Sequence, residues 1–306
     1  MPRRGHRAKR TVNAISQLEW REVVNPYGPT EVLGEEQVQT IIDGALHILE
    51  SKGMRFLEPG SRTRLARAGA DVDEDSMMVH FDRSLVMEQI SHAPSSFELR
   101  ARNPNRHLQL GTGHHIFASV GGPAFVSDLD KGRRPGTYEE TRDYLKLVQS
   151  LNIIHQEGGG PFEAMDLPAE TRHLDLYLAQ YQLTDKNCQS YALGGVRAKD
   201  SVEMACIALG VDRAALLEKP ALLAVINTNS PLQLDIPMTE AVDEMAAAGQ
   251  VCCITPFTLA GSMSPATLAG TLVQQTAEVL AVTTYAQLVR PGAPIMYGSF
   301  ASNVDM

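Results

Sequence analysis

The stretch from Val251 to Ser302 constrains the fold most, because it contains a complete β-loop-α-loop-β unit. The apolar run Val251 to Ile254 predicts a strand, which is followed by a polar loop. Ser264-Pro265 predicts the start of a long helix, with serine as the N-cap and proline at the first helical position. Arg290 to Gly292 predicts the end of that helix, and Pro294 to Tyr297 predicts the next strand.

The same unit recurs in the preceding sequence, starting near His115. Six short apolar runs follow one another at intervals of about 30 to 45 residues, and each but the last precedes a helical pattern. Short, nearly continuous apolar strands are typical of parallel sheets that are buried on both faces. The predicted strands are His115–Val120, Ile153–His155, Asn187–Ala192, Ala221–Ile226, Val251–Ile254 and Pro294–Tyr297, and the predicted helices between them include Tyr138–Ser150, Glu170–Leu183, Lys199–Leu209 and Met238–Ala248.

A repeated βα unit of this length builds either an open doubly wound sheet or a (β/α)8 barrel. Polar and glycine-rich residues follow every predicted strand, whereas a doubly wound sheet concentrates them at one switch point. The pattern therefore favours an α/β fold of the TIM type, an incomplete (β/α)8 barrel with about six βα units. Since a barrel closes with eight strands, we expect about two units to be missing after the last predicted strand. The alternative is that two strands lie in the amino-terminal section.

The sequence divides into three predicted parts. Residues 1–30 predict an irregular arm that begins with the basic run MPRRGHRAKR. Residues 31–110 predict a mainly helical extension, in which apolar spacing places a helix at Glu35–Ser51 and a small hairpin turns around Asn103 to Asn105. Residues 111–306 hold the partial barrel.

The composition of the chain excludes several classes of protein. The formal net charge is −9, so the bulk of the chain lacks the basic surface of a nucleic-acid-binding protein. No apolar run approaches the length of about 18 residues that predicts a membrane span. Four cysteines form neither a disulfide framework nor a CxxC motif, which favours a reducing compartment. We therefore expect a cytoplasmic protein with no nucleic-acid or membrane partner.

Candidate site residues lie in the loops that follow the strands, because active sites of such barrels lie at the carboxyl ends of the strands. These loops are rich in amides, hydroxyls and aromatic rings, and they are poor in lysine and in clustered histidine. That composition argues against Schiff-base chemistry and against a metal-dependent hydrolase. The predicted cavity-lining residues are Phe125, Gln156, Glu157, Gln189, Tyr191, Asn227, Asn229, Phe257, Ser299 and Phe300, with Thr255 in the same loops.

Three features of these loops allow more than one interpretation. Glu157 is the one carboxylate directly at a predicted strand end, and it is either a countercharge or general base in the cavity or half of an ion pair with Arg197. Gly158 to Pro161 lacks the lysine and hydroxyl of a P-loop, so a tight loop is favoured over a phosphate cradle. The aromatic rings form either a cage for a quaternary ammonium group or ordinary packing contacts.

Three other polar features are predicted to be structural. The long helix carries Gln274, Gln275 and Glu278, and we expect capping or interhelix bonds from them, because the helices of a barrel lie outside its strands. Cys252-Cys253 lies inside a strand and predicts buried, inert thiols. His114-His115 is a weak metal pair, since adjacent residues of a strand face opposite sides.

Several long runs of the chain resemble one protein family. They are SPATLAGTLVQQTAEVLA (Ser264–Ala281), PIMYGSFASNVDM (Pro294–Met306), VINTNSPLQLD (Val225–Asp235) and the GGP that follows the first predicted strand. From about residue 25 onwards the chain resembles the trimethylamine methyltransferase family. The resemblance implies a (β/α)8 barrel with an amino-terminal helical extension. Family chains are longer, so it also implies that this chain is truncated at its carboxyl end.

The resemblance further implies a methyl transfer from a tertiary or quaternary amine, such as trimethylamine or glycine betaine, to the cobalt of a corrinoid protein. The corrinoid (cobalamin) then belongs to the partner protein, and this chain needs no tightly bound cofactor. No catalytic residue is carried over from the family, whose pyrrolysine position falls beyond the motifs quoted above. The alternatives are a different TIM-barrel lyase or hydrolase and a non-catalytic truncated barrel. The sequence also leaves open whether the chain forms a homo-oligomer.

Overall fold

A parallel sheet organises the described part of the chain, which in this computed structural model comprises residues 16–28, 30–122 and 125–303. Most of the predicted basic arm lies outside these residues, as does Pro123 of the GGP motif. The strands are β1 (Val23–Val24), β2 (Met54–Phe56), β3 (Asp71–Asp73), β4 (Met78–His80), β5 (Phe97–Leu99), β6 (Leu108–Leu110), β7 (His114–His115), β8 (Val126–Asp128), β9 (Gly132–Arg134), β10 (Gln156–Glu157), β11 (Asn187–Ser190), β12 (Leu222–Thr228), β13 (Gln233–Leu234), β14 (Val251–Pro256), β15 (Leu259–Ala260), β16 (Ile295–Tyr297) and β17 (Ser302–Asn303).

Helices α1 and α4 begin and end at the predicted residues, since both carry clear starting signals. In α4, Thr137 and Glu140 form the predicted capping box. The helices are α1 (Glu35–Ser51), α2 (Pro59–Arg67), α3 (Arg83–Ile90), α4 (Tyr138–Ser150), α5 (Arg172–Leu183), α6 (Gly195–Leu209), α7 (Arg213–Glu218), α8 (Ile236–Ala247) and α9 (Leu268–Val289). Within the residues that the structure describes, no helix combines enough length and enough apolar side chains to span a lipid bilayer.

Helix α9 begins later than the sequence predicts. Thr267 is its N-cap, and the side chain of Thr267 accepts a hydrogen bond from the N–H of Gly270. The predicted N-cap, Ser264, lies in the preceding loop, so that prediction is wrong. The helix ends at Arg290, its C-cap, as predicted.

The main sheet has the order β10-β11-β12-β14-β16, and every pair in it is parallel. The strands follow one another in the sheet in the same order as in the chain, with a helix on each connection. This is a mixed α/β fold. The sheet stays open across residues 16–28, 30–122 and 125–303, so the predicted TIM-type barrel is not confirmed.

The first predicted strand, His115–Val120, is mostly irregular. Only Ala118 forms a parallel bridge, to Gln156 at the edge of the sheet, and the N–H of Ser119 donates to the Gln156 carbonyl at 3.0 Å. His114–His115 instead pairs antiparallel with β1. The chain therefore touches the sheet edge at the expected place but does not form a sixth full strand there.

The second predicted strand, Ile153–His155, is displaced along the chain. The N–H of Ile154 donates to the carbonyl of Leu151 in a turn, and the Ile153 side chain is exposed. The observed strand β10 is Gln156–Glu157. Apolar character predicted the wrong residues because the residues that pair in the sheet are polar.

One face of the main sheet packs against the helices. Successive side chains of a strand point to opposite faces, so alternate residues of β12 and β14 share this environment. These residues are fully buried with Tyr285 and its neighbours on α9, and they are Ala224, Ile226, Cys252 and Ile254. The main hydrophobic core therefore lies between the sheet and its helices.

Among the described residues, the hydrophobic cover of the opposite face lies at the amino ends of the strands. Leu223 and Val251 are buried there against Leu99, Leu108 and Leu110 of the hairpin β5–β6. Towards the carboxyl ends the same face carries partly buried side chains, which are Val225, Cys253 and Met296. We call this surface the inner face.

The amino-terminal extension is joined to the loop that follows β12. Helix α1 packs against α9, and β13 pairs in parallel with β2 of the small sheet β13-β2-β4-β3. The segment after β12 is thus held from two sides. The boundary near residue 110 between extension and barrel stays a prediction.

Candidate functional site

Three polar side chains share the inner face near the carboxyl ends of the strands. Gln189 is in register with Leu223, and Asn227 is in register with Thr255, so the alternation of β12 places all of them on one face. Asn227 is exposed, whereas Gln189 and Thr255 are half-buried. The structure therefore brings together an amide, a second amide and a hydroxyl that the sequence had placed at three separate strand ends.

Phe257, two residues after Thr255 in the chain, forms an aromatic pair with Phe300, which follows β16. Their ring centroids lie 4.7 Å apart with an angle of 14° between the planes. The Phe300 N–H donates to the carbonyl of Pro256 at 3.1 Å, and the following segments pair as β15 and β17. The Phe300 side chain is 58% exposed, so the pair presents an aromatic surface to solvent.

Phe125 and Tyr191, the other predicted aromatic wall residues, are differently placed. The guanidinium of Arg133 lies 3.9 Å above the Phe125 ring, so a cation of the chain itself occupies that face. The Tyr191 ring packs edge-on against the Tyr177 ring, with 5.7 Å between the ring centroids. The backbone N–H of Tyr191 donates to the Tyr177 hydroxyl at 2.8 Å. Burial raises the pKa of Tyr191 well above its ordinary value, which keeps this phenol neutral.

Gln156, Asn229 and Ser299 are engaged in internal hydrogen bonds. Gln156 is buried and donates to the side chain of Asn187 at 2.6 Å. Asn229 donates to Asp235 at 3.3 Å and lines a cavity of about 470 Å³ beside β2 and β4. The Ser299 hydroxyl donates to Oε1 of Gln275, on helix α9, at 2.9 Å. These three side chains fix loops and strands, and both Asn229 and Ser299 are also exposed to solvent.

Glu157 lies on the helix side of the sheet and not on the inner face. Its carboxylate accepts hydrogen bonds from the N–H groups of Gly159 and Gly160, both at 2.9 Å, and from Gln180 at 2.6 Å. Arg197 donates elsewhere, to a backbone carbonyl, so the alternative of an ion pair between Glu157 and Arg197 is wrong. The glycine run is a tight loop whose N–H groups donate to the Glu157 carboxylate. This confirms the interpretation as a tight loop, which the sequence favoured over a phosphate cradle.

Glu157→Gln is expected to remove a pH dependence of stability. Burial raises the pKa of Glu157 above its ordinary value of 4.5, against the opposing effect of its hydrogen bonds. Ionisation therefore costs folding free energy that is absent below pH 4.5 and fully present above the raised pKa. We expect the wild type to lose stability relative to the variant as the pH rises through this window, measured by urea unfolding from pH 4 to pH 8. A pH-independent difference between the two proteins would contradict this assignment.

Helix α9 supplies supporting residues whose contacts the sequence did not reveal. Glu278 is fully buried and accepts hydrogen bonds from Thr228 and from Ser230, and the N–H of Leu232 donates to it at 2.9 Å. Gln275 contacts the loops after β14 and β16. The sequence signal was a polar run, Gln274 to Glu278, inside a helix that is otherwise apolar and buried. We predicted capping or interhelix bonds on the helix surface, and that prediction is wrong. The three side chains are buried, and their hydrogen bonds go to strand ends and to the loops beside them.

Candidate metal ligands do not cluster in the described residues. Across residues 16–28, 30–122 and 125–303, no group of three or more His, Cys, Asp or Glu side chains lies close enough together to hold an ion. His114 is engaged locally, since its Nδ1 lies 3.1 Å from the Thr112 hydroxyl. The chemistry that these side chains offer is recognition through aromatic faces, amides and hydroxyls.

Comparison with protein families gives a match across almost the whole sequence. The family model described as trimethylamine methyltransferase (MTTB) matches residues 2–306. The chain belongs to this family. The resemblance identified from the sequence motifs is thereby confirmed.

Several named methyltransferases are similar to this chain. The glycine betaine methyltransferase of Desulfitobacterium hafniense (strain Y51) is 36% identical over 275 residues, which cover 90% of this chain and 57% of the relative. The trimethylamine methyltransferase MttB of D. hafniense (strain DSM 10664 / DCB-2) is 29% identical, with 89% and 55% covered. The proline betaine:corrinoid methyltransferase of Eubacterium limosum is 22% identical, with 88% and 56% covered. The chain spans little more than half the length of these relatives.

Proposed function

We propose that this protein takes part in methyl transfer from a tertiary or quaternary amine, of the class of glycine betaine or trimethylamine, to a corrinoid protein. The observation that carries the proposal is the 36% identity to a glycine betaine methyltransferase over 90% of this chain. The names of the other two relatives point to the same substrate class. The inner face, with its amides and its neighbouring aromatic pair, is chemically suited to such a substrate.

The proposal includes a (β/α)8 arrangement for the main sheet. Its strands run parallel in chain order, and the helices cover one face only, as in such a barrel. A doubly wound sheet instead reverses its strand order at a switch point and carries helices on both faces. The exposed inner face at the carboxyl ends of the strands is then the wall of the substrate cavity.

The cationic head of the amine is proposed to lie against Phe257 and Phe300. A methylated ammonium group is attracted to the face of an aromatic ring, by about 0.5 to 2 kcal/mol. The amides of Gln189 and Asn227 orient the rest of the molecule. The C–N bond then breaks as the methyl group is transferred, and the amine leaves with the bonding electron pair. The residues of this chain contribute orientation and desolvation, and the cobalt of the partner's corrinoid is the methyl acceptor.

The partner in this reaction is a separate corrinoid protein, so we assign no resident cofactor to this chain. One relative is named as a proline betaine:corrinoid methyltransferase. We also assign the protein to the reducing cytoplasm, which its free cysteines, Cys188, Cys206, Cys252 and Cys253, support. The reaction is tested by mixing the chain with glycine betaine or trimethylamine and a cobalt(I) corrinoid protein. Formation of methyl-cobalt, followed by its absorption spectrum, is the expected result, and its absence with both amines counts against the reaction.

Phe257→Leu is expected to weaken binding of glycine betaine about tenfold, because the variant loses one cation–π surface. Isothermal titration calorimetry on the whole chain measures the affinity. Phe125→Leu is the matched control, since Arg133 already occupies the Phe125 ring face. Equal losses in the two variants would show that the Phe257–Phe300 pair has no special part in binding.

A further inference from the structure

Gln275 connects the two loops that carry the aromatic pair. The side chain lies on α9 and is 3% exposed. Its Oε1 accepts hydrogen bonds from the hydroxyls of Ser299 at 2.9 Å and Thr258 at 3.3 Å, and its Nε2 donates to the hydroxyl of Tyr297 at 3.2 Å. One buried amide therefore joins the segment after β14 to the segment after β16.

The residues that Gln275 holds are the immediate neighbours of the aromatic pair. Thr258 follows Phe257, and Ser299 precedes Phe300. The hydroxyls of Thr258 and Ser299 contact Gln275 on α9, whereas Phe300 is 58% exposed and its ring stacks on Phe257. The bonds to α9 therefore fix the backbone from which the two rings project. The two loops also continue the pairing of the sheet, since the N–H of Phe300 donates to the carbonyl that ends β14.

We infer that Gln275 is a positioning residue that sets the Phe257–Phe300 pair and thereby the surface for the methylated ammonium group. The inference rests on the proposed function for its substrate, and on the hydrogen bonds of Gln275 for its geometry. Gln275 acts through Thr258 and Ser299 and does not itself touch the amine. A glutamine suits this position because one oxygen accepts from both hydroxyls while the nitrogen donates to a third.

Gln287 provides a matched control on the same helix. It is also fully buried, and its Nε2 donates to the carbonyl of Ala293 at 2.8 Å while its Oε1 accepts from the N–H of Gly292 at 2.8 Å. These bonds hold the turn at the far end of α9 and do not involve the aromatic loops. Gln287→Met therefore removes a buried amide of equal size without touching the site.

The test compares Gln275→Met, Gln275→Glu and Gln287→Met in the whole chain. Hydrogen exchange at the Phe300 amide reports the loop geometry, and calorimetry with glycine betaine reports the binding surface. Gln275→Met is expected to accelerate exchange at Phe300 about tenfold and to weaken betaine binding about tenfold, because the hydroxyls of Thr258 and Ser299 lose their acceptor. Gln275→Glu keeps the two acceptor contacts and is expected to stay within about threefold of the wild type in both measurements. Gln287→Met is expected to change neither.

Unchanged exchange at Phe300 in Gln275→Met, or an equal change in Gln287→Met, overturns the positioning role. If the wild-type chain binds no betaine, the proposed substrate is wrong for this protein. The exchange measurement then still decides whether Gln275 sets the aromatic pair, so the two failures are distinguishable.

Discussion

Replacing Glu278 with alanine is expected to lower the free energy of unfolding by about 4 kcal/mol, because several buried donors lose their acceptor together. The carboxylate lies on α9 and is fully buried. It accepts from the hydroxyls of Thr228 and Ser230, from the N–H of Leu232 at 2.9 Å, and from Gln274 at 3.0 Å. The alanine variant leaves these groups without a partner and adds a cavity.

Glu278→Gln separates hydrogen bonding from volume. The glutamine keeps the size of the side chain and one acceptor oxygen, and its NH2 group faces hydroxyls that are able to accept in turn. We expect this variant to lose about 1 to 2 kcal/mol. Glu218→Ala, at an exposed position of α7, is expected to change stability by less than about 0.5 kcal/mol. Urea unfolding followed by circular dichroism measures all three, and a loss below about 1 kcal/mol for Glu278→Ala would show that the donors find other partners.

The position of Glu278 also explains why one helix matters to the whole site. Its contacts fix the segment after β12, while Gln275 fixes the segments after β14 and β16. Three consecutive strand-end loops are therefore held by one polar run of α9. A change in that run is expected to displace loops on the inner face even though the helix lies behind the sheet.

Local signals in the sequence predicted the bounds of helices α1 and α4. Helix α4 begins and ends at the predicted residues because Thr137 and Glu140 form a capping box within four residues of chain. The three strands at the centre of the sheet, β11, β12 and β14, were also predicted, since each is bounded by turn residues. These features are set by residues that are neighbours in the chain, so the sequence alone is enough to predict them.

The sequence could not show which side chains lie on which face of the sheet. Glu157 is in register with Cys188, whereas Gln189 is the next residue of β11 and points to the opposite face. A shift of one residue in register exchanges the two environments, and nothing local to either residue sets that register. The same limit applies to Phe257 and Phe300, which meet only because β14 and β16 are adjacent in the sheet.

Gly158→Ala is expected to destabilise the protein by about 3 kcal/mol or more, because the new methyl group would overlap backbone atoms that cannot rotate away. A Cβ at Gly158 would lie well inside the contact distance of the Ser119 carbonyl oxygen, and a Cβ at Gly121 would overlap the Gly158 carbonyl in the same way. The N–H of Gly158 also donates to the Ser119 hydroxyl at 2.9 Å. Two strand-end loops thus pack backbone against backbone.

Gly28→Ala is the control for the general effect of adding a methyl group at a glycine. No atom lies within 4 Å of the position that its Cβ would take, so we expect a change of less than about 0.5 kcal/mol. Thermal unfolding of the two variants gives the comparison. If the loops after Ala118 and β10 move as one unit, Gly158→Ala also accelerates exchange at the Gly122 amide, which donates to the Gly160 carbonyl at 3.0 Å. Full stability in this variant would mean that the two loops separate at little cost, and that the close backbone approach is not what holds them together.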